Sequence, residues 1–77
     1  MKRLDFIFLL VNKSEELRRV NSKNRVALEI YSQRSNYSVE IRHYYNNGLK
    51  RWLILTSDIL ENDVEQQKII EYINQIK

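Results

Sequence analysis

The chain predicts an α+β fold, with an N-terminal helix, a three-stranded antiparallel meander and a C-terminal amphipathic helix packed on one sheet face. Three observations carry that prediction. Val26, Leu28 and Ile30 alternate with their neighbours at the period of a half-buried strand, and two strand-like segments between Tyr37 and Ser57 carry Arg42, Tyr44, Lys50 and Trp52 at period-two spacing. Clusters of turn-forming residue types at 21–24, 34–36 and 46–48 separate those runs. Ile69, Ile70, Ile73 and Ile76 then recur at the three- and four-residue spacing of one helical stripe.

Leu4, Ile7, Phe8 and Val11 fit one face of a first helix, and Leu17 with Val20 extend a second, shifted stripe. Residues 6–11 are equally strand-prone, and Asn12, Lys13 and Ser14 form a candidate break with Ser14 as a cap, but the helix is preferred. Met1, Lys2 and Arg3 ahead of the apolar run 4–11 have the outline of a secretory leader. Asp5 interrupts that run, no small-residue cleavage site follows, and it falls far short of the ~18 apolar residues of a membrane span. It is expected to be core, with no membrane partner.

Val26, Leu28 and Ile30 alternate with Arg25, Ala27, Glu29 and Tyr31 in the first strand. Arg34, Ser35 and Asn36 turn the chain into the second, which begins near Tyr37. The closing helix has two candidate N-caps, Asp58 with Glu61 three residues on, or Asn62 with Glu65.

At 77 residues the chain forms a single domain, 1–77, with a core small enough that self-association would be a ready source of further burial. Cysteine is absent, which removes disulfides, thiolate metal sites and thiol nucleophiles, and a reducing, cytoplasmic setting is expected. The net charge of +3 is unevenly spread. Residues 1–57 hold eleven Lys or Arg against five acids, while residues 58–77 hold two against five. The late acids suit a helix N-terminus.

The register of the hairpin at 46–48 decides which side chains share a face, because a one-residue slip inverts them all. With Asn46, Asn47 and Gly48 as a three-residue loop and glycine left-handed, Val39 and Ile41 lie beside Leu53 and Leu55, and Arg42, Tyr44, Lys50 and Trp52 share the other face. With Asn47 and Gly48 as a two-residue turn, Trp52 joins the core side and Leu53 and Leu55 are left outside. The first register buries more apolar area and is preferred.

In that register the hairpin presents a basic and aromatic platform. Arg42 and Lys50 would neutralise phosphates, Tyr44 and Trp52 would stack bases, and Lys23, Arg25, Arg18 and Arg19 would extend the charged track. Nucleic acid, single-stranded by preference, is the expected partner. The sole histidine, His43, has no partner at metal-ligand spacing, and the only glycine, Gly48, excludes a glycine-rich phosphate loop. His43 with Arg42, Tyr44 and Tyr45 has the residue types of a small ribonuclease but no motif, so neither enzyme activity nor a cofactor is expected.

The run Glu40-Ile41-Arg42-His43-Tyr44-Tyr45, followed by a turn, a basic strand containing Leu53-Ile54-Leu55-Thr56 and a closing helix, resembles the positive-cofactor-four family of transcriptional coactivators. The resemblance covers residues 25–57 and implies binding of single-stranded DNA on the curved sheet of a dimer. The family's glycine- and lysine-containing turn is missing here, the loop is shorter, and residues 1–24 have no clear counterpart. Double-stranded RNA-binding domains share the element order, but their second-helix lysines are replaced by Asn62, Asp63, Glu65 and Gln66. Arm-type domains of phage integrases, which put a three-stranded sheet into the major groove, remain a variant of the same class. The alternative from another class is a small phage- or mobile-element-type module that binds or inhibits a host protein, with Tyr31, Tyr37, Tyr44 and Trp52 as anchors. A homodimer through the sheet edge or the C-terminal helix is compatible with both.

Overall fold

The structure is a computed structural model and describes residues 1–33 and 36–77, so Arg34 and Ser35 of the expected second turn lie outside the described residues. Helix α1 spans Arg3–Arg19, and strands β1, β2 and β3 span Asn24–Gln33, Asn36–Tyr45 and Gly48–Thr56. Helices α2 (Ser57–Leu60) and α3 (Asp63–Asn74) close the chain. The strands form one antiparallel sheet in the order β1-β2-β3. The α+β architecture is the one the alternation and the isoleucine stripe require.

Residues 6–11 are helical, and α1 continues without a break through Asn12, Lys13 and Ser14. Ser14 is no cap. Its hydroxyl donates to the Val26 carbonyl at 2.7 Å and so fixes α1 against β1. The buried stripe also differs from the expected one: Phe6, Ile7, Leu10 and Leu17 face the core, whereas Leu4, Phe8 and Val11 are exposed. The run 4–11 is apolar on nearly every side, so periodicity alone could not choose between the two faces. Asn21, at φ 53°, ends the helix in the left-handed position usually taken by glycine. The Ser22 and Asn21 N–H groups donate to Leu17 and Arg18, the paired closing bonds of a Schellman motif.

The β2–β3 turn corrects the expected loop. Asn46 and Asn47 both have positive φ, 50° and 67°, which makes a two-residue type I′ turn, and Gly48 has no left-handed backbone and pairs with Tyr45. Uninterrupted pairing from that turn would set Ile41 opposite Trp52. A bulge between His43 and Tyr44 on the register inserts Lys50 and shifts the ladder by one, so that Ile41 pairs with Leu53, Val39 with Leu55 and Arg42 with Trp52. The apolar residues are thus united on one face by the bulge, not by the loop.

That face carries Val26, Val39, Ile41 and Leu55 into the core, where Phe6, Leu10, Leu17 and Leu60 meet them. In the C-terminal region Asn62 caps α3 by accepting from the Glu65 N–H at 3.0 Å, while the Asp58 alternative falls inside the short helix α2. Ile69, Ile73 and Ile76 are buried as the stripe predicts. Gln66 is the buried polar residue among them, and its amide donates to the carbonyls of Leu60 and Met1. Among the described residues, no helix is long and apolar enough to cross a membrane.

Candidate nucleic-acid interface

The sheet face turned away from the helices holds Arg42, Tyr44 and Trp52 together. Arg42 and Trp52 are cross-strand neighbours, with the guanidinium 5.5 Å from the ring centroid, and Tyr44 lies two residues along β2. Trp52 is 54% exposed. The same face also carries Glu29 and Glu40, which are themselves cross-strand partners. The Arg42 guanidinium reaches Glu40 at 2.6 Å and Glu29 at 3.3 Å, and the hydrogen bond it donates to Glu29, with both acids' charge, holds its pKa above the ordinary value. Two carboxylates around one guanidinium leave this face no net positive charge for a phosphate.

Lys50 does not belong to that platform. As the inserted residue of the bulge it leaves the Arg42–Trp52 row, and its ammonium lies 6.0 Å from the centroid of the Tyr45 ring. The sequence alternation placed it beside Arg42 because a bulge leaves no mark in the apolar pattern.

The cations gather elsewhere, at one end of the molecule. The Schellman turn after Arg19 leads directly into β1, whose first residue Asn24 pairs with Tyr45, and the Asn46 N–H donates to the Lys23 carbonyl at 3.0 Å. The C-terminal residue is held at the same end, where the Lys77 carbonyl accepts from Ser22 Oγ at 2.8 Å and Asn24 Nδ2 at 2.7 Å. Arg18, Arg19, Lys23, Arg25, Lys50, Arg51 and Lys77 therefore converge there. Of these, only Arg18 has a salt bridge among the described residues, to Glu15 at 3.4 Å. The Arg25 guanidinium is bonded to the carbonyls of Ser22 and Asn24, which steer it towards the turn without neutralising it. A shallow depression lined by Lys23, Arg25, Asn46 and Asn47 sits in this end.

The acids take the opposite end. Glu61 pairs with Arg3 at 3.7 Å, Asp63 with the Met1 amino group at 2.9 Å, and Asp58 and Glu65 lie in the same region of α2 and α3. The body measures 36 × 22 × 19 Å, and the cations without carboxylate partners lie towards one end of it, whereas the acids at the other end are offset by the Met1 amino group and Arg3.

His43 lies at the base of the cationic end. Its Nε2 meets Asn24 Oδ1 at 2.8 Å, an acceptor, so Nε2 carries the proton and Nδ1 accepts from the Tyr72 hydroxyl at 2.6 Å. Burial, and then the charge of Lys50, lowers its pKa below the ordinary value. Burial raises the pKa of Tyr72, whose ring is stacked by the Arg51 guanidinium at 4.6 Å. Both ring nitrogens of His43 are satisfied, so it stands as a structural tie between β1, β2 and α3.

Among the eight residues expected to bind, Lys23, Arg25, Lys50, Arg18 and Arg19 are brought together, while Arg42, Tyr44 and Trp52 lie on the open sheet face, which meets the cationic end where Arg25 pairs with Tyr44. Arg51 and Lys77 escaped sequence reasoning, since strict alternation turns Arg51 towards the helices and Lys77 is far away in sequence. The one available signal was the pairing of Arg51 with Lys50 directly after a turn. Neither a family model, nor a curated protein, nor a solved structure matches this chain.

Proposed function

We propose that this protein binds nucleic acid through its cationic end. The observation that carries the proposal is the convergence of Lys23, Arg25, Lys50 and Arg51 around the Asn46–Asn47 turn with no carboxylate side chain paired to any of them among the described residues. Cations without internal partners release counterions when they meet phosphates, and that release drives affinity. Tyr45 beneath Lys50 supplies a ring at the same place, 41% exposed and able to stack on an unpaired base. A preference for single strands is further supported by the resemblance of residues 25–57 to single-stranded DNA-binding coactivators. Self-association leaves this role intact.

The test is a titration of a fluorescent single-stranded oligonucleotide at two salt concentrations. Wild type is expected to bind with a steep salt dependence. Replacing Lys50 and Arg51 together by alanine should weaken binding and lower the slope of log affinity against log salt by about 1.4, the loss of two phosphate contacts on a single strand. Arg42→Ala should leave both unchanged. Absence of binding at low salt, or a larger effect from Arg42→Ala than from the double variant, would refute the proposal.

A second reading, a module that binds a host protein, is favoured by the open sheet face. Trp52 and Ile54 are each about half exposed there beside Tyr31 and the internally paired Arg42, the mixture of rings and arginine that anchors protein interfaces. Under that reading a partner retained by the wild type is lost with Trp52→Ala and kept by the Lys50, Arg51 double variant.

A further inference from the structure

The two edges of the sheet are unlike each other. β3 is a protected edge: its ladder is broken by the Lys50 bulge, and Lys50 and Arg51 follow one another on it. Inserted charges and bulges are how sheets discourage further strands from adding on. β1 has no bulge, and its two charges, Arg25 and Glu29, are separated and lie on the face away from the helices. It pairs with β2 over ten consecutive residues without a register shift, contains no proline, and presents its other side unpaired among the described residues.

Beside that open edge lies the exposed stripe of α1. Leu4, Phe8 and Val11 are spaced four and three residues apart and are 59%, 62% and 37% exposed. The helix runs antiparallel to β1, with Ser14 bonded to Val26, and Val11 and Leu28 line the same groove. Further along, Ile30 is half exposed on the helix side of the strand. Together these side chains expose roughly 400 Å² of apolar surface next to an unsatisfied strand edge, at the scale that marks an interaction site.

We infer that two copies of this chain pair antiparallel along their β1 edges near Ile30, forming a six-stranded sheet with Leu4, Phe8 and Val11 of one α1 against the same residues of the other. The surface is its own complement. A two-fold axis near Ile30 passes close to the middle of the apolar part of α1, so the operation that joins the strands also joins the stripes. The charged half of the stripe, where Glu15 and Arg18 follow Val11, is carried past the dyad, which brings Glu15 of one copy to the helix start of the other, beside Lys2, which has no ion pair among the described residues. Pairing of residues 27–33 about that axis, together with the apolar stripe, contributes towards the area, on the order of 800 Å² per copy, that a standard interface buries. A small core gains from the added burial. The inference is independent of nucleic-acid binding, since the cationic end lies away from the proposed axis.

Sedimentation of the full chain from low to high micromolar concentration tests it. Wild type is expected to rise from the 9.4 kDa monomer towards twice that mass. Phe8→Glu, at an exposed position, should keep native circular dichroism and stay monomeric, while Ile54→Glu on the opposite sheet face should dimerise like wild type. The chain has no cysteine, so Ile30→Cys provides a second measurement, and mild oxidation should yield a covalent dimer. A wild type that remains monomeric, a Phe8→Glu variant that dimerises normally, or an Ile30→Cys variant that fails to cross-link would each overturn the inference.

Discussion

The hydroxyl of Tyr72 lies 2.6 Å from Nδ1 of His43, and this bond ties α3 to the middle strand of the sheet. Burial, and then the Lys50 ammonium, oppose a second proton on the imidazole and lower its pKa in the fold. An unfolded chain takes up that proton near pH 6.5. Stability linked to His43 is therefore fully present above that pH and is lost as the pH falls through the lower folded-state value. Urea unfolding at pH 7.5 and 5.5 should show a larger decline for wild type than for His43→Gln. Equal declines would remove His43 as the linked group.

Two phenylalanines two residues apart should behave in opposite ways. Phe6 is fully buried and Phe8 is 62% exposed. Phe6→Ala is expected to cost about 3–5 kcal/mol, a large share of the roughly 4–12 kcal/mol that stabilises a domain of this length. Phe8→Ala should leave monomer stability within roughly 0.5 kcal/mol. Denaturant unfolding at low protein concentration measures both.

These phenylalanines also show what the sequence could and could not convey. The elements were legible because strand alternation and the isoleucine spacing each report a single buried face. The face of α1 was not, since Phe6, Ile7, Phe8, Leu9 and Leu10 are contiguous and offer several equivalent stripes. At the hairpin the pairing of Ile41 with Leu53 followed from apolar matching, yet its cause did not, because two asparagines took the left-handed backbone expected of Gly48. The bulge at Lys50 leaves hydrophobicity unchanged and moves one cation off the platform. Convergence of the cations at one end depends on antiparallel topology bringing residues 18–25, 50–51 and 77 together, which no local pattern encodes.

The turn itself is a test of that account. Asn47 has φ 67°, a region where a β-branched side chain clashes with its own backbone. Asn47→Val should therefore cost roughly 1–2 kcal/mol, whereas Asn47→Gly should be tolerated. Thermal unfolding followed by far-ultraviolet circular dichroism distinguishes them.

Gln66 offers a different kind of probe. Its amide donates to the Leu60 carbonyl at 2.5 Å inside the core and to the Met1 carbonyl at 2.9 Å. Gln66→Leu keeps the volume but strands the Leu60 carbonyl, at a cost of about 1–3 kcal/mol. For a domain of this size each kcal/mol corresponds to a melting shift of roughly 4–8 °C. A melting temperature equal to or above wild type would show that the carbonyl finds another donor.

Asn47 is followed directly by Gly48, whose missing side chain leaves its amide nitrogen unhindered as a nucleophile towards the asparagine side chain. Ring closure and hydrolysis at that bond release ammonia and leave aspartate or isoaspartate at the tip of the hairpin. Each event would introduce a carboxylate into the depression shared with Lys23 and Arg25. The protein would thus lose positive charge with age at the end where its cations converge, without any enzyme acting on it.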